Sequence, residues 1–252
     1  MSIGVEDRVA LVTGAGRGIG KATVELLKAG GARVFGVARS EKELAELGVD
    51  YAAADLGTAE GCALAVEEAT RLFGHIDIFI CNHGLGSAHE DVLWKQDIGT
   101  WRESMAVNLD APFYLSRLIL AGMVEQAYGR VVYTSSTAAQ VAEHGGCAYN
   151  SAKTGLLGLM RSVARDAGPH GITSNAVLPG WVRTEMAERS ARAEAGRRGI
   201  SAEQVWKERG ALYPQGRVVT PGEVAAMIVF LASQEASGVS GQAISVSLGA
   251  AD

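Results

Sequence analysis

Tyr149 and Lys153 stand four residues apart in the run Tyr149-Asn150-Ser151-Ala152-Lys153. On a helix that interval puts both side chains on one face, a turn from each other. An ammonium beside a phenol favours the phenolate and draws a pKa of about 10 toward working pH. Such a pair suits giving a proton to a carbonyl oxygen, or taking one from an alcohol. Thirteen residues before the tyrosine, Ser136 closes the β-rich run Gly129-Arg130-Val131-Val132-Tyr133-Thr134-Ser135-Ser136. Ligands of open α/β sheets bind at such carboxyl ends, where a hydroxyl can hydrogen-bond a substrate oxygen.

A second constellation, Thr13-Gly14-Ala15-Gly16-Arg17-Gly18-Ile19-Gly20, follows the first apolar run and opens a helical one. It does not read G-x-G-x-x-G; it reads T-G-x-x-x-G-x-G through Gly14, Gly18 and Gly20. Glycines there allow a tight turn and close backbone approach, and the free N–H groups of a helix start attract a pyrophosphate. At the end of the second apolar run, Ala38 stands where an NAD site carries an acid for the ribose 2′-hydroxyl. Arg39 follows it, and a guanidinium suits a 2′-phosphate through paired, charge-assisted hydrogen bonds. Arg17 adds a second positive charge. NADP(H) is therefore the expected cofactor, with NAD(H) the alternative should Glu41 reach the ribose.

The elements that must carry these groups alternate along the chain. Short β-rich runs lie at 9–12, 33–37, 51–54, 76–81, 131–134, 173–178 and 243–246. Helix-like stretches lie at 19–29, 58–72, 100–126, 149–166, 184–210 and 221–232. Several strands lack polar alternation, as parallel strands covered on both faces do. The pattern predicts an α/β fold with a doubly wound parallel sheet of about seven strands and helices on both faces. With 252 residues and no internal repeat or linker, 1–252 reads as a single domain. The charged segment at about 184–212 follows the sixth strand, a position suited to a helical lid over a substrate.

Composition narrows the function classes. Lys+Arg 23 against Asp+Glu 28 gives a net charge of −5, which argues against a nucleic-acid surface and against a polybasic membrane patch. Hydrophobic residues at 48% and charged residues at 20% exclude overall disorder. Cys62, Cys81 and Cys147 are too few and too scattered for a disulfide framework or a zinc ribbon. The longest apolar run, 224–232, is far short of a membrane span, and the start of the chain shows no signal peptide. A soluble, cytoplasmic protein is expected. No histidine or cysteine spacing marks a metal site, and no G-x-S-x-G elbow supports a hydrolase using Ser136 and His144.

Taken together, TGAGRGIG, the CNHG tetrapeptide at 81–84, Ser136 with YNSAK, and PGWVRT resemble the short-chain dehydrogenase/reductase family in its ~250-residue Rossmann form, over nearly the whole chain. The resemblance implies Tyr149 as proton donor or acceptor, Ser136 as the residue orienting the substrate carbonyl, and Lys153 as holder of the nicotinamide ribose. It implies Asn108 as support for a proton-relay water. It places Gly14, Gly16, Arg17, Gly18, Ile19 and Gly20 on the cofactor, with Arg39 beside the adenosine ribose and Asp55 and Leu56 near the adenine. Asn82 and Gly84 would follow the central strand beside the cofactor, and Pro179, Gly180, Val182 and Thr184 would meet the nicotinamide.

His83 stands where the family commonly has alanine, and either shapes the pocket or turns outward. His83, Glu143, His144, Trp181 and Met186, with Cys147, flank the matched motifs and are the expected substrate contacts. The expected activity is reduction of a ketone, including a 3-oxoacyl type, or oxidation of a secondary alcohol. An NAD(H)-dependent alcohol dehydrogenase is the alternative. A catalytically silent dinucleotide-binding regulator is the rival from another class, though it would be expected to lose Tyr149 or Lys153. Arg130 is a candidate contact for an acidic carrier protein. The small-molecule substrate apart, the expected partner is the chain itself, as a homotetramer or homodimer, through apolar residues such as Leu115, Leu118, Leu156, Leu159 and Met160.

Overall fold

Strands without polar alternation need cover on both faces, and the computed structural model, which describes residues 4–87 and 90–250, provides it. β1 (Val9–Thr13), β4 (Ile78–Cys81), β5 (Gly129–Thr134) and β6 (Ile172–Pro179) are buried along their whole lengths. β2 (Arg33–Ala38), β3 (Asp50–Ala53) and β7 (Ala243–Val246) complete one sheet. All pairings are parallel, in the order β3-β2-β1-β4-β5-β6-β7. The winding reverses between β1 and β4, and a crevice opens beyond their carboxyl ends.

Helices α3 (Ala59–Phe73), α5 (Ala111–Glu125) and α6 (Cys147–Ala167) cover one face, where Leu11, Phe79, Tyr133, Leu156 and Met160 are buried together. Helices α1 (Gly18–Ala29) and α9 (Pro221–Ala232) cover the other, around Val24, Leu27, Ile80, Val224 and Ile228. Each such side chain contributes about 1.5–3 kcal/mol on burial. Local chemistry sets the helix starts. Thr58 caps α3 by accepting from Gly61 N at 3.0 Å, and Thr220 forms a reciprocal capping box with Glu223 ahead of Pro221.

Three elements differ from the sequence expectation. The stretch 100–126 is not one helix: α4 (Ile98–Met105) and α5 are joined by a π-turn, Ala106–Asp110, which turns Asn108 fully inward. The stretch 184–210 is two helices, α7 (Glu185–Arg198) and α8 (Ala202–Ala211), broken at Gly199, where φ is +65°. A short helix, α2 (Glu41–Ala45), follows β2. Leu115, Leu156 and Met160 belong to the core, so only Leu118 and part of Leu159 remain on the surface. No helix among the described residues is long and apolar enough to cross a membrane.

The amino ends of the strands are tied by charge. Asp77 accepts from Val9 N at 2.9 Å and from the Arg8 guanidinium at 3.3 Å. Arg8 and Arg130 lie over the Tyr128 ring, 3.8 and 4.5 Å from its centroid. Arg130, 3% exposed, also donates to the carbonyls of Gly129, Gly171 and Ser233. It is thus unavailable to a docking carrier protein, contrary to the expectation from its charge alone.

Candidate active site

The crevice at the reversal point widens into a groove of about 980 Å³ running from the glycine loop to the start of α6. Gly14 and Gly18 take φ of +64° and +54°, which favour glycine. A Cβ at Gly20 would overlap the Gly14 carbonyl oxygen, so that position admits no side chain. Arg17, the residue preceding α1, makes no side-chain cap, and the first N–H groups of the helix stay free for an anion. These are the features a dinucleotide pyrophosphate requires, and the residues present fit that group.

Gly14, Gly16, Arg17, Gly18 and Ile19 line the groove, as do Arg39, Asp55, Leu56, Asn82 and Gly84. Asn82 ties the strands beneath it. Its Nδ2 faces the carbonyls of Thr13 and Gly14 at 3.3 and 3.4 Å, and its Oδ1 accepts from Thr134 at 3.2 Å. Asp55 also holds its own turn, accepting from Gly57 N at 3.0 Å. Glu41 does not line the groove; Glu43, two residues on along α2, does. Its carboxylate lies 3.8 Å from Arg17, which also pairs with Glu185 at 3.0 Å across the groove mouth. Arg39 is exposed beside them.

At the other end, Ser136 closes β5, and Tyr149 and Lys153 project from the first turns of α6 into the same groove. Adjacent Ser135 donates to the Lys153 carbonyl at 3.0 Å, so its hydroxyl is held in the scaffold. The Ser136 hydroxyl hydrogen-bonds the Tyr149 phenol. Lys153, 4% exposed, donates to the Thr134 carbonyl at 3.0 Å, and burial brings its ammonium down to about 8. Burial pushes the Tyr149 phenol up to about 12, against the Ser136 bond, and the carboxyls of Glu143 and Glu90 raise it further. The expected pull of the lysine toward phenolate is thus absent from this geometry: Nζ lies 5.7 Å from the ring centroid and is turned to Thr134.

Asn108 does not line the groove but stands directly behind it. Its Oδ1 accepts from Leu85 N at 3.1 Å, and its Nδ2 donates to the Leu85 carbonyl and the Ser104 hydroxyl, each at 3.2 Å. His83 turns inward, with Nδ1 2.8 Å from the Thr13 hydroxyl. Burial, with the Lys153 charge nearby, holds the imidazole down at about 3 against the hydrogen bond to the Val107 backbone, so the ring is neutral.

Pro179, Gly180, Trp181, Val182, Thr184 and Met186 line the wall opposite α6. Thr184 also caps α7, accepting from Ala187 N at 3.3 Å. The Tyr213 hydroxyl accepts from Trp181 N and fills the space beside Gly180. Arg209, 5% exposed, sits 3.6 Å from the Trp181 ring centroid and 5.0 Å from that of Trp206, and pairs with Glu194 at 3.0 Å. Glu143 lines the groove, its carboxyl raised above the ordinary range by burial, against the opposing pull of Arg209. Two expected substrate contacts are corrected. His144 is exposed outside the groove, because the loop turns at Gly145 (φ +66°), and Cys147 lies off the lining at the first residue of α6.

Comparison with known proteins agrees with this architecture. The family model described as enoyl-(acyl carrier protein) reductase matches residues 14–251. A 3-oxoacyl-(acyl-carrier-protein) reductase of Vibrio cholerae serotype O1 is 34% identical over 252 residues, covering 97% of this chain and 98% of the relative. The crystal structure of levodione reductase superposes with a TM-score of 0.92 at 29% identity, covering 97% of each chain. An actinorhodin polyketide ketoreductase solved with NADPH superposes with a TM-score of 0.88 at 31% identity, covering 96% of this chain and 97% of that one.

Proposed function

This chain belongs to the short-chain dehydrogenase/reductase family, and on that footing we propose that it is an NADP(H)-dependent oxidoreductase interconverting a ketone and a secondary alcohol. The observation that carries the reading is the convergence of Ser136, Tyr149 and Lys153 on the groove that the glycine loop opens. When bound, the nicotinamide supplies the hydride chemistry. The chain's own residues do the rest. The Ser136 hydroxyl holds the substrate oxygen, the Tyr149 phenol gives that oxygen its proton, and Lys153 holds the ribose with the ammonium donors that Thr134 leaves over. Asn108 fixes the Leu85 backbone, and with it the loop that faces the nicotinamide. Similarity to a polyketide ketoreductase and a 3-oxoacyl reductase supports trying β-ketoacyl compounds first.

Arg39 and Arg17 support the 2′-phosphate reading, while the Glu43 carboxylate beside Arg17 favours NAD(H) as the second reading. NADPH consumption across a panel of ketones and 3-oxoacyl thioesters tests the activity; tight NADPH binding without turnover of any of them would instead favour a silent regulator. Reversing charge with Arg39→Asp is expected to weaken NADPH binding roughly a hundredfold and NADH binding little, as loss of a charge-assisted phosphate contact implies. Equal affinities of the unaltered protein for the two cofactors would decide against NADP(H).

Helix α7, whose Met186, Arg189 and Ser190 line the groove, acts in this reading as the lid, with α8 packed against it. The three free thiols, Cys62, Cys81 and Cys147, suit a reducing compartment such as the cytoplasm.

A further inference from the structure

Helix α6 begins without a cap of its own. The residue before it, Gly146, has no side chain to accept from the first turn. The acceptor comes instead from far away in sequence. Glu90, on the loop after β4, takes Ala148 N with one carboxylate oxygen at 2.8 Å and Tyr149 N with the other at 2.9 Å. The Ser104 hydroxyl of α4 donates to the same carboxylate and accepts from Asn108 at 3.2 Å. One carboxylate thus joins the backbone of the proton-transferring tyrosine to the π-turn residue that fixes the loop at Leu85.

We propose that Glu90 is the positioning residue for Tyr149: it fixes where the phenol stands over the groove and adds a negative charge beside it. The proposal rests on the reading of Tyr149 as proton donor and acceptor. A cap alone would steady the helix; a charged cap gripping the backbone of the reacting residue does two separable things. The other groups facing this phenol are Glu143 from the loop before α6, Ser136 from the end of β5 and Lys153 from α6 itself. Arg209 of α8 faces Glu143. Of the two carboxyls only Glu90 holds the tyrosine backbone.

The test compares the full-length protein with Glu90→Gln, Glu90→Asp and the double variant Glu90→Gln with Gly146→Ser. A Cβ at Gly146 meets nothing closer than 3.4 Å, so a serine there can cap the helix locally. Glu90→Gln is expected to lower kcat roughly tenfold with the dissociation constant for NADPH unchanged, the signature of a misplaced reacting group. Loss of the charge should also move the rise of alcohol oxidation with pH to lower pH by about half a unit, because the phenolate is no longer repelled. Glu90→Asp keeps the charge and should leave that limb in place. Gly146→Ser should restore the melting temperature of Glu90→Gln but neither kcat nor the limb.

A limb unmoved in Glu90→Gln, or a Gly146→Ser rescue of rate and limb together, would overturn the proposal. The ultraviolet difference titration of Tyr149, taken against Tyr149→Phe, reads the same charge effect without turnover. If no substrate reacts, it therefore still separates failure of this assignment from failure of the functional reading.

Discussion

A buried phenol near 12 is a proton carrier biased to its acid form. In the reductive direction Tyr149 must be protonated, so reduction should be independent of this group through neutral pH. In the oxidative direction the phenolate is required, so the rate should climb with pH. Tyr149→Phe is expected to lower turnover by about 10²–10⁴-fold with NADPH binding retained, measured by initial rates and fluorescence titration. Lys153 carries the opposite strain. Its folded value of about 8 lies below the 10.5 of a free lysine, so the unfolded chain holds more protons between those values. Stability should therefore rise as pH increases through that window, and charge burial opposes folding below it. Lys153→Met should abolish activity while raising the melting temperature at pH 7 by a few degrees, about 1–2 kcal/mol after the Thr134 bond is lost. A calorimetric midpoint below that of the unaltered protein would contradict this. Tyr149 and Lys153 were legible because helical spacing brings them together. Glu90 was not: its partners lie 58 and 59 residues away, and no local pattern encodes that closure. Glu43 was missed by two positions, because the short α2 was not anticipated and turns Glu43 rather than Glu41 to the groove.

At the scale of elements, strands and long helices followed from apolar patterning, while the interruptions did not. At 106–110 the helical composition runs on, but Pro112, the second residue of α5, has no N–H to give the Asn108 carbonyl, and the π-turn that precedes it buries Asn108. The charged stretch 184–210 has too few apolar positions to announce what it covers, yet α7 and α8 close over Ala191, Ala195, Val205 and Trp206. Arg209 of α8 ties α8 to α7 through Glu194, and the pair to the segment after β6 through the Trp181 ring. Arg209→Met removes the charge and leaves Glu194 with Arg198 alone at 2.7 Å. It should increase proteolysis within 185–211 and raise the KM for the ketone several-fold, with the global melting temperature shifted by no more than about 2–4 °C per kcal/mol lost. Unchanged cleavage would show that the roof is held by other contacts.

For the whole molecule, association of copies is expected through α4, α5 and α6. Phe113, Tyr114 and Leu118 are exposed on α5, at 49, 36 and 38%. Trp94 and Ile98, at 81 and 68%, lie at the approach to α4. Placing a charge there with Leu118→Glu should shift a tetramer or dimer toward monomer in sedimentation velocity, and a monomeric unaltered protein would remove the expectation.

The two ends of the sheet are built for different tasks. Around Tyr128, the stacked guanidiniums of Arg8, salt-bridged to Asp77, and of Arg130, bonded to backbone carbonyls, bind β1, β4, β5 and β6 at the end away from the groove. Turns and glycines occupy the opposite rim. An engineer seeking heat resistance can therefore work on the stapled end and leave turnover alone, whereas a change of substrate must be sought at the open rim, where every added atom competes with a ligand for space.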